Sequence, residues 1–181
     1  MTASSPTGVQ RRTFMGSIMA GLALIGVATA RKAQAAEAPN PVPSPRLGLC
    51  VADLQKSVDF YTKALGFKDL GLAQSVGKAL AVQAQTDSPL NVAFVQRGGL
   101  AIELLHFAEH KKAVHHPMDQ PGLTNLTIAL DNLEPAVSLV KQYGGTIVEK
   151  TRARFGVPGN GADIVFCEDP DGVRIGLEAV I

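Results

Sequence analysis

An internal repeat limits what this chain can fold into. Leu47, Leu49, Val51, Leu54, Val58 and Gly66 recur as Leu126, Ile128, Leu130, Leu133, Val137 and Gly145, an offset of 79 residues (126 − 47). Gly99, Ile102 and Leu104 recur as Gly172, Ile175 and Leu177, an offset of 73 (172 − 99). Repetition at this length marks a supersecondary unit used twice, and each half reads as one strand, one helix and three strands.

Within the first half, Leu47, Leu49 and Val51 alternate with Gly48, Cys50 and Ala52, as in a half-buried strand. Asp53 is placed to cap a helix whose apolar stripe is Leu54, Val58, Tyr61 and Leu65, and Gly66 to end it. Phe67–Leu72 reads as a short strand. Ser75–Gln83 has no clear period; a short helix over a cavity mouth is one reading. Leu90–Gln96 and Leu100–Phe107 read as a hairpin turning at Gly98-Gly99, and Ala108–Pro121 as a crossing linker. In the second half Asn132 is the expected cap, Gly144-Gly145 the helix end, Thr146–Lys150 a strand and Thr151–Asn160 a loop. The closing hairpin pairs Ala162–Cys167 with Val173–Ile181 across Glu168-Asp169-Pro170-Asp171-Gly172, where Pro170 presets φ and Gly172 tolerates a positive φ.

The formal charge of +1 hides an asymmetry. Arg11, Arg12, Arg31 and Lys32 stand among the first 35 residues with no acid; the remainder carries 13 basic against 16 acidic residues. No basic face points to nucleic acid. Arg11-Arg12-Thr13-Phe14-Met15, an apolar run from about Ile18 to Ala30, and Ala33-Gln34-Ala35 have the order of a signal peptide, here resembling the twin-arginine type. The domain assignment is therefore residues 1–35 signal, 36–45 a proline-rich linker, and 46–181 the folded domain, with modules 46–107 and 122–181. The expected location is the bacterial periplasm, with membrane contact only during export. Cys50 and Cys167 are expected as buried thiols rather than a disulfide.

The strand faces opposite the helices define the candidate site. They carry Arg46, Gly48 and Cys50; Ala101, Glu103 and Leu105; Asn125, Thr127 and Ala129; and Arg174, Gly176 and Glu178. A charge on such a face is costly unless it is paired or bound to something. His106, His110, His115 and His116 lie within eleven residues, yet His106 should point away from Glu103 and the others sit in the linker without closed ligand spacing.

The chain resembles the vicinal oxygen chelate superfamily, which includes glyoxalase I, extradiol dioxygenases and bleomycin-resistance proteins. The resemblance rests on Leu49-Cys50-Val51-Ala52-Asp53-Leu54 followed by Ser57 and Phe60-Tyr61, on Leu65-Gly66-Phe67, on Ile102-Glu103-Leu104-Leu105, and on Phe166-Cys167-Glu168-Asp169-Pro170-Asp171-Gly172. It implies an α+β fold of two tandem βαβββ modules forming a curved mixed sheet around a shared cavity. It also implies a divalent-metal site with one ligand from each first and last strand. Carried over, those positions are Arg46, Glu103, Asn125 and Gly176, and only Glu103 is a usual ligand.

A divalent cofactor is therefore doubtful, with Glu103 its retained ligand if one binds at all. The reading is an exported glyoxalase-like lyase or isomerase acting on a small oxygenated metabolite. Glu103 and Arg46 are its catalytic residues, and Asn125, Thr127, Arg174 and Glu178 bind the substrate. The alternative is a non-catalytic small-molecule binder of the bleomycin-resistance type, in which Arg46 and Glu103 form a structural ion pair. Glutathione-dependent activity is not expected, and a homodimer is possible by resemblance.

Overall fold

The computed structural model describes residues 45–72, 74–109 and 117–181. The signal and most of the linker, with His110, His115 and His116, lie outside them.

Each half builds a four-stranded mixed sheet. In the first, β1 (Arg46–Cys50), β2 (Lys68–Leu72), β3 (Leu90–Arg97) and β4 (Leu100–Phe107) are ordered β1-β4-β3-β2. In the second, β5 (Leu126–Leu130), β6 (Thr146–Val157), β7 (Asn160–Glu168) and β8 (Arg174–Val180) are ordered β5-β8-β7-β6. The first strand of each module runs parallel to the last, and the other pairs are antiparallel. The fold is α+β with two tandem modules, and each module keeps its own sheet.

Helix α1 (Leu54–Asp59) begins where Asp53, in extended conformation, accepts a hydrogen bond from Lys56 N. It widens into a π turn over Phe60–Ala64. The extra residue in that turn lets Phe60, Tyr61 and Ala64 all face inward, at 0%, 0% and 5% exposure. Helix α2 (Gln74–Gln83) fills the ambiguous stretch and packs on β3. Helix α3 (Leu133–Gln142) is the repeat-mate of α1, capped by Asn132.

Alternation along the strands sends Leu49, Val51, Val95, Ile102 and Leu104 from the first sheet, and Ile128, Val165, Cys167, Ile175 and Leu177 from the second, into one core with both capped helices. The modules are thus joined on their helix-bearing side. Polar contacts fix the joint. Tyr61 Oη donates to Asp169 Oδ2 at 2.9 Å, Ser57 Oγ to Asp171 Oδ2 at 3.2 Å, and Ala52 N to Asp171 Oδ1 at 3.0 Å. The Asp169 carboxylate also receives the Asp171 and Val173 amides at 2.9 and 2.8 Å. At the other end of the joint, Arg97 donates to the carbonyls of Leu65 and Ala129, each at 2.7 Å. Gly145 is required by close approach, since a Cβ there would lie 2.6 Å from the Phe60 ring.

Two expectations are corrected. Thr151–Asn160 is not a loop: β6 runs on to Val157 and β7 starts at Asn160, with an irregularity between Val148 and Ala153. Arg152 and Arg154 alternate with Ala153, Phe155 and Val157 in a period-two pattern that their charge disguises; Arg154 pairs with Asp163 directly across the ladder. Cys50 is not buried: it is an exposed free thiol on edge strand β1, whereas Cys167 is buried.

Burial holds the Asp169 carboxyl above its ordinary value, and the bonds from Val173, Tyr61 and Asp171 offset this only in part. A carboxyl raised in the folded state contributes most stability below its unfolded pKa, and that contribution is lost as pH rises through the folded one. The parent should therefore lose thermal stability on going from acid towards neutral pH by an increment that Asp169→Asn lacks. Melting temperatures of both proteins across that range check this. Tyr61→Phe leaves the buried Asp169 Oδ2 without its O–H donor and should cost about 1–3 kcal/mol in urea unfolding.

Candidate functional site

The face of each sheet away from the joint holds Arg46 and Glu103 in the first module and Thr127, Arg174 and Glu178 in the second, with Asn125 just before β5. On the first sheet Gly48 stands opposite Glu103, and Cys50 opposite Leu105, with Phe94 and Val92 next across on β3. Arg46 and Glu103 form an ion pair through the guanidinium Nε and the carboxylate Oε1. The glutamate side chain is 9% exposed and the arginine 40%, so the carboxylate is the sheltered partner. A buried carboxylate that lost this cation would be strongly destabilising, since its desolvation would go uncompensated.

On the second sheet Thr127 lies opposite Gly176 and Ala129 opposite Glu178, with Phe166 and Ile164 next across on β7. Asn125 Oδ1 accepts from Thr124 Oγ1, and its Nδ2 donates to Thr127 Oγ1, both at 3.0 Å. Arg174 and Glu178 are half-buried on the same face. The structure thus brings Arg46 together with Glu103, and Asn125 with Thr127 beside Gly176. The two groups lie on separate sheets.

The four positions of the resemblance do not fit a divalent ion. Arg46 is itself a cation and already holds Glu103. The amide of Asn125 is engaged by Thr124 and Thr127. At Gly176 a side chain would be crowded: a Cβ would lie 3.0 Å from Thr127 Oγ1 and 3.3 Å from the Phe166 ring, so both would have to give by a few tenths of an ångström. Among the described residues no group of three or more His, Cys, Asp or Glu is placed to hold a metal. His106 is turned to the joint side, with Nδ1 3.2 Å from the Val51 carbonyl oxygen, as its strand parity requires.

Neither thiol is activated. Burial pushes Cys167 up to about 12, and partial desolvation with the nearby Asp171 raises the exposed Cys50, so neither is a ready thiolate. Sequence reasoning missed Phe166 as the residue that fills the place beside Gly176; its parity with Ile164 on β7 was the available signal. The stretch for which a short helix was one reading is helix α2, and its Leu80 and Ala81 pack on the candidate face against Leu90, Val92 and Phe94.

The family model of the Glyoxalase/Bleomycin resistance protein/Dioxygenase superfamily matches residues 44–177. The chain belongs to this superfamily. It is 31% identical over 129 residues to a lactoylglutathione lyase of Escherichia coli O157:H7 and 30% identical to one of Salmonella typhimurium, spanning 71% of this chain and 86% of each relative. Among solved structures, a glyoxalase family protein from Bacillus cereus superposes with a TM-score of 0.61 at 17% identity, covering 81% of this chain and 98% of that one. Glyoxalase I from Zea mays gives 0.52 at 22% identity, covering 74% of this chain and 44% of that one. At these identities the structural likenesses speak for the fold alone.

Because Thr127 and Phe166 crowd the position beside residue 176, Gly176→Glu should not behave as a restored metal ligand. It should lower stability by about 1–3 kcal/mol through overpacking. Melting curves of this variant with and without manganese or nickel should show the loss in both.

Proposed function

We propose that this protein is a glyoxalase-like lyase or isomerase acting on a small oxygenated metabolite, exported through its N-terminal signal, with the electrostatic role of the family's cation passed to Arg46. The single observation that carries this is the Arg46–Glu103 ion pair on the open sheet face, at two of the positions where the resemblance expects metal ligands. Glu103 is buried on that face, sheltered from water as a base abstracting a proton next to a carbonyl should be. Arg46 contacts it through Nε, and the guanidinium carries four further N–H donors suited to an oxyanion or a carboxylate. Proton removal by Glu103 with the enolate oxygen held by Arg46 requires no step through a metal. The lyase names of the bacterial relatives support the reaction class.

Asn125, Thr127, Arg174 and Glu178 form the second half of this site. The modules join on their helix-bearing side, so the two halves meet on one ligand when two copies associate. The exposed apolar side chains Phe155, Val157 and Val180 on the second sheet favour such a dimer. Export rests on Arg11-Arg12-Thr13-Phe14-Met15 and the apolar run behind it; the N-terminal residue of protein recovered from a periplasmic fraction tests it.

A non-catalytic binder is the second reading, favoured by the same ion pair: a carboxylate held by a guanidinium is a weakened base. Solvent deuterium exchange separates the two. With a panel of small 2-oxo carboxylates in deuterium oxide, the enzyme reading expects label to enter next to the carbonyl. Glu103→Gln should reduce the rate by at least a hundredfold, Arg46→Lys by about tenfold to a hundredfold, and EDTA should have no effect. Binding without exchange would establish the second reading, and loss of exchange with EDTA would remove the role given to Arg46.

A further inference from the structure

The open face of the first sheet is divided along its length. Arg46, Glu103 and Gly48 occupy one end. Towards the other end β4 presents Leu105 and then Phe107 on the same face, both half-buried, with Cys50 exposed across from Leu105. Helix α2 walls this end on the β3 side, where Leu80 and Ala81 pack with Leu90, Val92, Phe94, Leu105 and Phe107 in an apolar cluster separate from the main core.

The height of that wall is set by one residue. A Cβ at Gly77 would lie 2.5 Å from the Leu90 carbonyl oxygen, so only glycine lets α2 lie this low on the sheet. On the β1 side Gly48 adds no side chain to the floor, and β1 is an edge strand. What remains is a strip with a guanidinium at one end and aliphatic and aromatic carbon at the other. At a strand rise of about 3.3 Å per residue, Leu105 lies about 7 Å and Phe107 about 13 Å along the strand from Glu103.

We propose that this strip binds a small amphipathic anion, its carboxylate or enolate held by Arg46 and its alkyl or aryl tail lying along Leu105 and Phe107 beside α2. The inference rests on the reading of Arg46 as the group that holds an anionic oxygen and adds the substrate class: a monoanion with an apolar substituent, not a sugar, a polyphosphate or a highly charged conjugate. The apolar cluster binds the tail by removing its surface from water, while Arg46 fixes which end goes where.

The test is calorimetric titration of the full chain with acetate, hexanoate, octanoate and uncharged 1-octanol. Octanoate should bind at least tenfold more tightly than acetate, and 1-octanol at least tenfold more weakly than octanoate. Leu105→Ser should bring octanoate down to the level of acetate, and Arg46→Gln should weaken every carboxylate. Arg46→Lys keeps the charge but not the fork, giving an intermediate loss even where Arg46→Gln leaves Glu103 uncompensated and unfolds the chain. Gly77→Ala, which lifts α2, should favour bulkier tails such as 4-phenylbutyrate over octanoate.

Equal binding of acetate and octanoate, both dependent on Arg46, would overturn the tail site and leave the anion-holding role intact. Octanol binding as tightly as octanoate would overturn the anion-holding role itself. No binding of any carboxylate would overturn both.

Discussion

The fold turns on one buried carboxylate. Asp169, at 4% exposure, gathers the Tyr61 hydroxyl and the backbone amides of Asp171 and Val173. The two amides shape the β7–β8 turn; the hydroxyl comes from the helix of the other module. Asp171 repeats the arrangement at the surface, accepting from Ala52 N and Ser57 Oγ at the start of α1. One turn therefore folds its own hairpin and seats the opposite helix. Both open faces keep their place because the joint between the modules does.

How legible this was in the sequence depended on how local each signal is. Both helix caps and the closing hairpin depend on residues a few positions apart, and Asp53, Asn132 and Gly172 stand where the sequence placed them. The parity that puts Glu103 on one face and His106 on the other follows from strand geometry alone. The extension of β6 escaped because Arg152 and Arg154 hide an alternation that becomes visible only when Asp163 is opposite. The role of Tyr61 and Asp169 escaped for another reason: nothing in sequence brings together residues in different modules.

The candidate site was legible by position more than by chemistry. Arg46 and Glu103 were placed on one face from periodicity, and the ion pair follows from the parallel register of β1 and β4. Strand parity puts Phe166 on the open face, but its place beside Gly176 depends on the register of β7 against β8. The two modules have also diverged in what covers them. α2 lies over part of the first open face, while the second presents Phe155, Val157 and Val180 to solvent. A duplicated scaffold has kept its core and caps and changed the two surfaces on which a ligand or a second copy would sit.

The bond between Tyr61 and Asp169 joins residues 108 positions apart, and the one between Ala52 and Asp171 spans 119. A contact this distant along the chain forms late, because a long loop must close before anything offsets its entropy. During synthesis the first helix is complete long before the turn that seats it exists, and the last dozen residues supply the strand that closes the second sheet. The apolar side of α1 and its π turn waits uncovered through that interval, open to wrong partners. The C-terminal hairpin thus sets the moment at which the whole domain becomes safe from aggregation, and a chain stopped short of it would leave both halves exposed.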